Sequence, residues 1–215
     1  SKKRRQVTMF DEKMRLVKDQ AFNPLAQLFQ VVPPWFFTLA GLVAGVATAV
    51  AVWQQQYILG LLLWLLNRVF DGLDGAVARQ RGASSDFGGY LDIVVDFVIY
   101  AAVPVGLAAG RVDTTASSGM AQPLILSLIF LLCSYYVNAA SWMYLAAILE
   151  KRRASQDGRL TSIIMPAGIV GGTETIVFYC AFIIFPGYLV WLFSLMAALI
   201  VVTIGQRLVW AARHL

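Results

Sequence analysis

Six stretches of this chain stay apolar for about the length that crosses a bilayer, and no other feature constrains the fold as strongly. They run over about 34–53, 57–78, 87–110, 121–149, 162–185 and 188–210, and a spanning α-helix needs roughly 20 mostly apolar residues. Hydrophobic residues make up 59% of the 215 residues against 13% charged, and mean hydropathy is +0.70. A water-soluble core of this size could not use so much apolar surface. The stretches are continuous where barrel strands would alternate, which excludes a membrane β-barrel. The chain is therefore expected to be an all-α integral membrane protein, with six transmembrane helices forming one domain over 31–215. Pro33-Pro34 before the first span and Phe185-Pro186-Gly187 between the last two mark the joins.

Residues 1–30 read as a cytoplasmic basic tail and an N-terminal amphipathic interfacial helix. Phe10, Met14, Leu16 and Val17, then Phe22, Leu25, Leu28 and Phe29, lie among charges and are interrupted near Pro24. Nothing in this charged stretch resembles a cleavable signal peptide. Short cytoplasmic loops carry an excess of Lys and Arg, and 16 of the 17 basic residues fall on alternate connections or the ends of the chain, leaving only Arg111 opposite. Both termini and the loop after the second span should thus face the cytoplasm from the inner membrane. The net charge of +5 is explained by this topology, so nucleic acid is not expected as a partner. The same charges would attract acidic membrane lipids.

His214 is the only histidine, so a Ser-His-Asp triad, a Cys-His pair and a histidine zinc site are all disfavoured. Cys133 and Cys180 lie inside spans without ligand spacing and read as buried apolar residues. Chemistry must rest on carboxylates. The stretch Asn67 to Phe97 carries Asp71 and Asp74 at i, i+3 and Asp92 and Asp96 at i, i+4, so each pair shares a helix face. The two helices are consecutive and antiparallel, which would bring the pairs together at the cytoplasmic end. Intramembrane carboxylates are expensive and functional by default. Four of them in a partly desolvated site call for a hard divalent cation, Mg²⁺, Mn²⁺ or Ca²⁺, and a pair of ions would suit phosphoryl transfer. Gly72, Gly75, Gly88 and Gly89 flank them and allow close backbone approach of a bulky ligand; packing through small residues is the other reading of the glycines.

Taken together, Asp71, Gly72, Asp74, Gly75, Ala78, Arg79, Gly88, Asp92 and Asp96 match the signature D-G-x-x-D-G-x-x-A-R-x8-G-x3-D-x3-D, and the chain resembles the CDP-alcohol phosphotransferases, also called CDP-alcohol phosphatidyltransferases. The resemblance implies a membrane enzyme of phospholipid synthesis. Such an enzyme transfers a phosphatidyl group from a CDP-linked lipid, with CDP-diacylglycerol expected, to the hydroxyl of a small alcohol, releasing CMP. It further implies that Asp71, Asp74, Asp92 and Asp96 hold Mg²⁺ or Mn²⁺, expected as two ions, and that Asp96 is the catalytic base. Gly72, Gly75, Ala78, Arg79 and Gly88 become substrate-binding residues, and a homodimer is expected. Members often carry P-N-x-[LI]-T at the start of the first span. Here the run is Pro34-Trp35-Phe36-Phe37-Thr38, which keeps Thr38 as a substrate-binding candidate and replaces the polar Asn with Trp35, an interfacial anchor.

For the acceptor alcohol, Glu174 within an apolar segment and the basic residues Arg152, Arg153 and Arg159 are candidates, the arginines as a clamp for an acceptor phosphate. Tyr136, Asn138 and Ser141 add polar groups on the fourth span. The pairs Gly41/Gly45, Gly106/Gly110 and Gly168/Gly172 have the spacing of a helix dimer face. Two other classes remain open. An aspartate-motif membrane prenyltransferase would place its motifs far apart in sequence, and a cation transporter would carry carboxylates near mid-membrane in several spans.

Overall fold

The structure is a computed structural model that describes residues 27–29, 31–82, 85–115, 119–155 and 168–215. The expected tail and amphipathic helix over 10–30 fall almost wholly outside the described residues. Among the described residues, six α-helices of more than one turn follow one another: α1 Pro34–Trp53, α2 Tyr57–Gln80, α3 Asp86–Thr115, α4 Ala121–Ser155, α5 Gly172–Ile184 and α6 Leu189–His214, with a 3-10 turn Pro186–Tyr188 between the last two. No strand forms among the described residues. The chain divides into two units, Ser1–Arg111 and Val112–Leu215.

In the first unit, Pro33 caps α1 in extended backbone and Pro34 occupies its first turn, where a missing N–H is harmless and the fixed φ suits a helix. The α1–α2 turn takes Gln55 to φ 60°, a left-handed conformation that is unfavourable for a long side chain. The Nε2 of Gln55 donates to Gly110 O at 2.6 Å, tying the turn to α3. Contacts of Gly41 with Asn67 and Phe70, and of Val52 with Gly60, show α1 and α2 antiparallel. Contacts of Gly45 with Ile99, Ala49 with Gly106 and Trp53 with Gly110 rise together along both chains, so α1 and α3 run parallel. An added Cβ on Gly106 or Gly110 would strike the carbonyl oxygen of Ala49 or Trp53. The pairs Gly41/Gly45 and Gly106/Gly110 are therefore used inside the chain, which removes the reading that drew a dimer face from them. Phe37, Leu73, Ala76 and Val77 form a tight apolar cluster between α1 and α2.

In the second unit, α4 and α6 are parallel. Tyr135 Oη donates to Met196 Sδ at 3.2 Å, Arg207 Nη1 to Asn138 Oδ1 at 3.0 Å, and Arg152 Nη2 to Leu215 O at 2.6 Å. The Phe185-Pro186-Gly187 turn folds α5 back on α6, with Phe182 and Phe193 edge to face at 4.8 Å. Gly168 packs on Thr203 of α6, another close contact inside the chain.

Among the described residues, four segments are long and apolar enough to cross a membrane: Pro34–Trp53, Asp86–Val112, Ala121–Arg152 and Pro186–His214. The expected six differ at two places. α2 has 24 residues, ample length, but carries Arg68, Asp71, Asp74 and Arg79. α5 has only 13 residues, about 20 Å at 1.5 Å per residue, short of a hydrocarbon core of about 30 Å. Residues 162–167 of the expected fifth span lie outside the described residues. Ahead of α5, the backbone N–H groups of Ile169 and Val170 donate to Thr203 Oγ1 at 3.1 and 3.2 Å. Non-helical backbone is thus satisfied by a side chain of α6, as apolar surroundings demand. Outward faces are apolar as well: Val43, Val46 and Val50 on α1 and Leu59, Leu62 and Leu66 on α2 are exposed. Cys133, expected to be buried, is exposed on α4, because in lipid the outer face is as apolar as the inner one.

Candidate active site

The four aspartates lie within the first unit. α2 and α3 are antiparallel, with Trp64 beside Tyr100 at 6.4 Å and Arg68 beside Asp96, so the later turns of α2 face the early turns of α3. Asp71, Asp74, Asp92 and Asp96 all line one cavity of about 10 Å³, closed by Phe37, Thr38 and Gly41 of α1. That is room for about one water-sized sphere.

Asp71, Asp74 and Asp96 are held from different surroundings. Thr38, one turn into α1, donates Oγ1 to Asp74 Oδ2 at 3.0 Å. Arg68 donates Nη2 to Asp96 Oδ1 at 2.9 Å and lies 4.0 Å from Asp71 Oδ2. The same guanidinium donates Nη1 to Tyr100 Oη at 2.9 Å and Nε to Asn67 Oδ1 at 2.8 Å. Asn67 is 1% exposed and donates Nδ2 to Gly41 O at 2.7 Å, so the arrangement is anchored to the α1 backbone. The Arg68 carbon sits 4.7 Å from the Trp64 ring centroid and 5.3 Å from that of Tyr100, within the range of cation–π attraction.

Among the described residues, no three acidic, His or Cys side chains gather into a ready-made metal cage. The reason is visible: Thr38 takes Asp74, while Arg68 takes Asp96 and draws on Asp71. The donor set nevertheless fits a hard divalent cation. It offers oxygen ligands only, and the cavity wall sets four carboxylates against one guanidinium.

A larger cleft of about 480 Å³ adjoins this cavity, sharing Thr38, Asp74 and Asp92 with it. Gly75, Ala78 and Arg79 line it from α2, and Gly88 and Gly89 from the first turn of α3, with Trp35 and Phe87 among its apolar walls. Ser85 caps α3, accepting the Gly88 N–H on Oγ at 3.0 Å, and the Gly89 N–H meets Ser85 O at 3.1 Å. The positive end of a 30-residue helix therefore borders the cleft, a setting that suits an anion. A Cβ on Gly75 would lie 3.2 Å from Arg79 Nη1, so the glycine lets the arginine lie back along its own helix toward the N-terminus.

The other predicted residues fare differently. Gly72 is buried and lines neither cavity; one residue from Asp71, it is turned by about 100° around the helix. Glu174 caps its own helix, accepting the Gly171 N–H on Oε2 at 3.0 Å. Its place in an apolar segment thus has a local explanation in helix capping. Arg152 closes the end of α6, donating to His214 O at 3.1 Å and to Leu215 O, so the clamp expected of it is engaged by backbone. The side chain of Arg153 and all of Arg159 lie outside the described residues. Arg68 is the residue that the motif did not disclose. Its signal was available, a charge one turn before Asp71 inside an apolar span, but its partners are 28 and 32 positions away.

The sequence profile of CDP-alcohol phosphatidyltransferases matches residues 31–211. The chain is 33% identical over 181 residues to the inner membrane protein YnjF of Escherichia coli K12, covering 84% of this chain and 82% of that one. A phosphatidylinositol phosphate synthase of Mycobacterium marinum is 30% identical over 206 residues, covering 88% and 80%. Crystal structures of Mycobacterium tuberculosis phosphatidylinositol phosphate synthase share the fold. The one with CDP-DAG bound has a TM-score of 0.63 at 23% identity, over 88% of this chain and 92% of that one. The one in complex with manganese and citrate has a TM-score of 0.64 at 24% identity, over 87% of each.

Proposed function

The chain belongs to the CDP-alcohol phosphatidyltransferase family, and from that membership we propose that it transfers a phosphatidyl group from CDP-diacylglycerol to the hydroxyl of a small alcohol, releasing CMP. One observation carries this reading. The motif residues Asp74, Gly75, Ala78, Arg79, Gly88 and Asp92 line a single cleft, and the cavity beside it collects all four aspartates.

Asp71, Asp74, Asp92 and Asp96 would hold Mg²⁺ or Mn²⁺, two ions in the full reading. When bound, the metal neutralises phosphate charge and stabilises the leaving CMP. The cleft takes the nucleotide, with Arg79 and the α3 N-terminus meeting its diphosphate. Gly75, Ala78 and Gly88 leave the nucleotide room, and Thr38 steadies Asp74. Asp96 accepts the proton of the acceptor hydroxyl. The acceptor oxygen bonds to the lipid-bearing phosphorus, and the bond from that phosphorus to the CMP oxygen breaks. Six helices cross the inner membrane in this reading, the short α5 completing its passage through the Thr203-bound backbone. The excess of basic residues puts both termini and the cleft at the cytoplasm. A homodimer is the family expectation.

The test is CMP release by purified protein given CDP-diacylglycerol and Mn²⁺, with glycerol 3-phosphate, inositol, inositol phosphate, serine and choline offered separately. One acceptor should support turnover, and Asp96→Asn should lower it by about 10²–10⁴-fold. A folded protein that releases no CMP with any acceptor or any CDP-linked lipid would overturn the reading.

A further inference from the structure

Arg68 is held at several atoms at once, and the mechanism above gives it no part. Four hydrogen bonds, two to Asn67 and one each to Tyr100 and Asp96, fix its guanidinium. Two aromatic faces lie within 4.7 and 5.3 Å of its carbon. Asn67 is locked in turn to the α1 backbone through Gly41 O. Burying a charge this way is costly unless every donor is used.

We propose that Arg68 is the positioning residue of Asp96, holding it by Oδ1 while supplying positive charge that competes with the divalent cation for the aspartate cluster. The inference rests on the functional reading above. Its physical basis is that a planar guanidinium can reach a hydroxyl, an amide oxygen and a carboxylate at fixed angles together. An ammonium is a point charge without that fork. Arginine also keeps its charge throughout the working pH range, so the arrangement is permanent. Placed 2.9 Å from Asp96 and 4.0 Å from Asp71, the charge offsets part of the carboxylate repulsion before any metal arrives. By the same attraction it weakens the hold of those two carboxylates on a cation.

Two consequences follow with opposite signs, which separates this role from a merely structural one. Arg68→Gln should lower kcat about 10–100-fold through misplacement of Asp96, with KM for CDP-diacylglycerol changed by less than about 2-fold. The same variant should bind Mn²⁺ about 3-fold or more tightly, since a neighbouring positive charge is gone. Arg68→Lys should keep Mn²⁺ affinity near that of the wild type while kcat stays low, because charge returns without the fork. Tyr100→Phe, a milder change that leaves the ion pair in place, should lower kcat in the same direction by a smaller factor.

The experiment measures Mn²⁺ binding by electron paramagnetic resonance and CMP release for the wild type, the three variants, and Arg68→Gln combined with Asp96→Asn. In the Asp96→Asn background, the effect of Arg68→Gln on Mn²⁺ affinity should shrink by more than half. Weaker Mn²⁺ binding together with lower kcat would reduce Arg68 to a structural pair and overturn the proposal. So would an unchanged kcat, or an undiminished effect in the Asp96→Asn background. Should Arg68→Gln fail to fold, Arg68→Lys and Tyr100→Phe decide by the same kcat and Mn²⁺ criteria. A wild type that releases no CMP would remove the functional reading, and the Mn²⁺ cycle alone would then decide whether Arg68 acts on Asp96.

Discussion

Thr38 reaches Asp74 from another helix with one hydroxyl, tying α1 to the aspartate cluster. A hydrogen bond to a charged group contributes about 1.5–3 kcal/mol. Thr38→Val, which keeps shape and removes the donor, should therefore cut kcat by about 10–100-fold and raise the Mn²⁺ concentration needed for half-maximal CMP release. Thr38→Ser should restore most of both. Equal activity and equal Mn²⁺ demand in Thr38→Val would show that the bond does not order Asp74. The neighbouring Trp35 lines the same cleft and gives it an apolar wall. At this scale Asp71, Asp74, Asp92 and Asp96 could be picked from their spacing. Glu174 could not be judged, because a carboxylate that caps its helix and one that binds a ligand look alike in sequence.

Helix packing in the first unit depends on backbone touching backbone. Gly106 and Gly110 of α3 lie against the carbonyls of Ala49 and Trp53, and no side chain can yield there. Gly106→Ala should lower stability by about 1–3 kcal/mol, visible as a lower Tm in detergent. Gly205 of α6 has open space around its Cβ position. Gly205→Ala should leave Tm unchanged or raise it, by up to about 1 kcal/mol from helix propensity alone. Similar losses in both variants would mean that glycine flexibility matters more than the close approach. The spacing of these glycines could be read from the sequence, yet a stripe of small residues has the same appearance whether it meets its own chain or a second copy.

The molecule as a whole exposes apolar side chains along its helices, including Val43, Val46 and Val50 on one of them, as a lipid-facing surface requires. If the basic residues set orientation, the α1–α2 turn lies outside the cytoplasm and the end of α2 inside. In a protein with Cys133 and Cys180 replaced by alanine, Gln54→Cys should react with a membrane-impermeant maleimide in intact spheroplasts, and Gln80→Cys should react only after the membrane is opened. The reverse pattern would overturn the orientation and move the cleft to the other face.

The sequence by itself determined that the chain is helical and built for a membrane, where the helix joins fall, and which four carboxylates form the cluster. These follow from local physics: apolar run length, charge asymmetry, and a 3.6-residue period that puts Asp71 with Asp74 and Asp92 with Asp96. Only the tertiary structure decided that Arg68 clasps Asp96, that Thr38 holds Asp74 and that Gly72 turns away from the cleft. It also decided that α5 stops at 13 residues, with Thr203 satisfying the backbone before it. Each of these, Gly72 excepted, joins groups more than 20 positions apart. Local periodicity says which face a residue presents, and packing alone selects what that face meets.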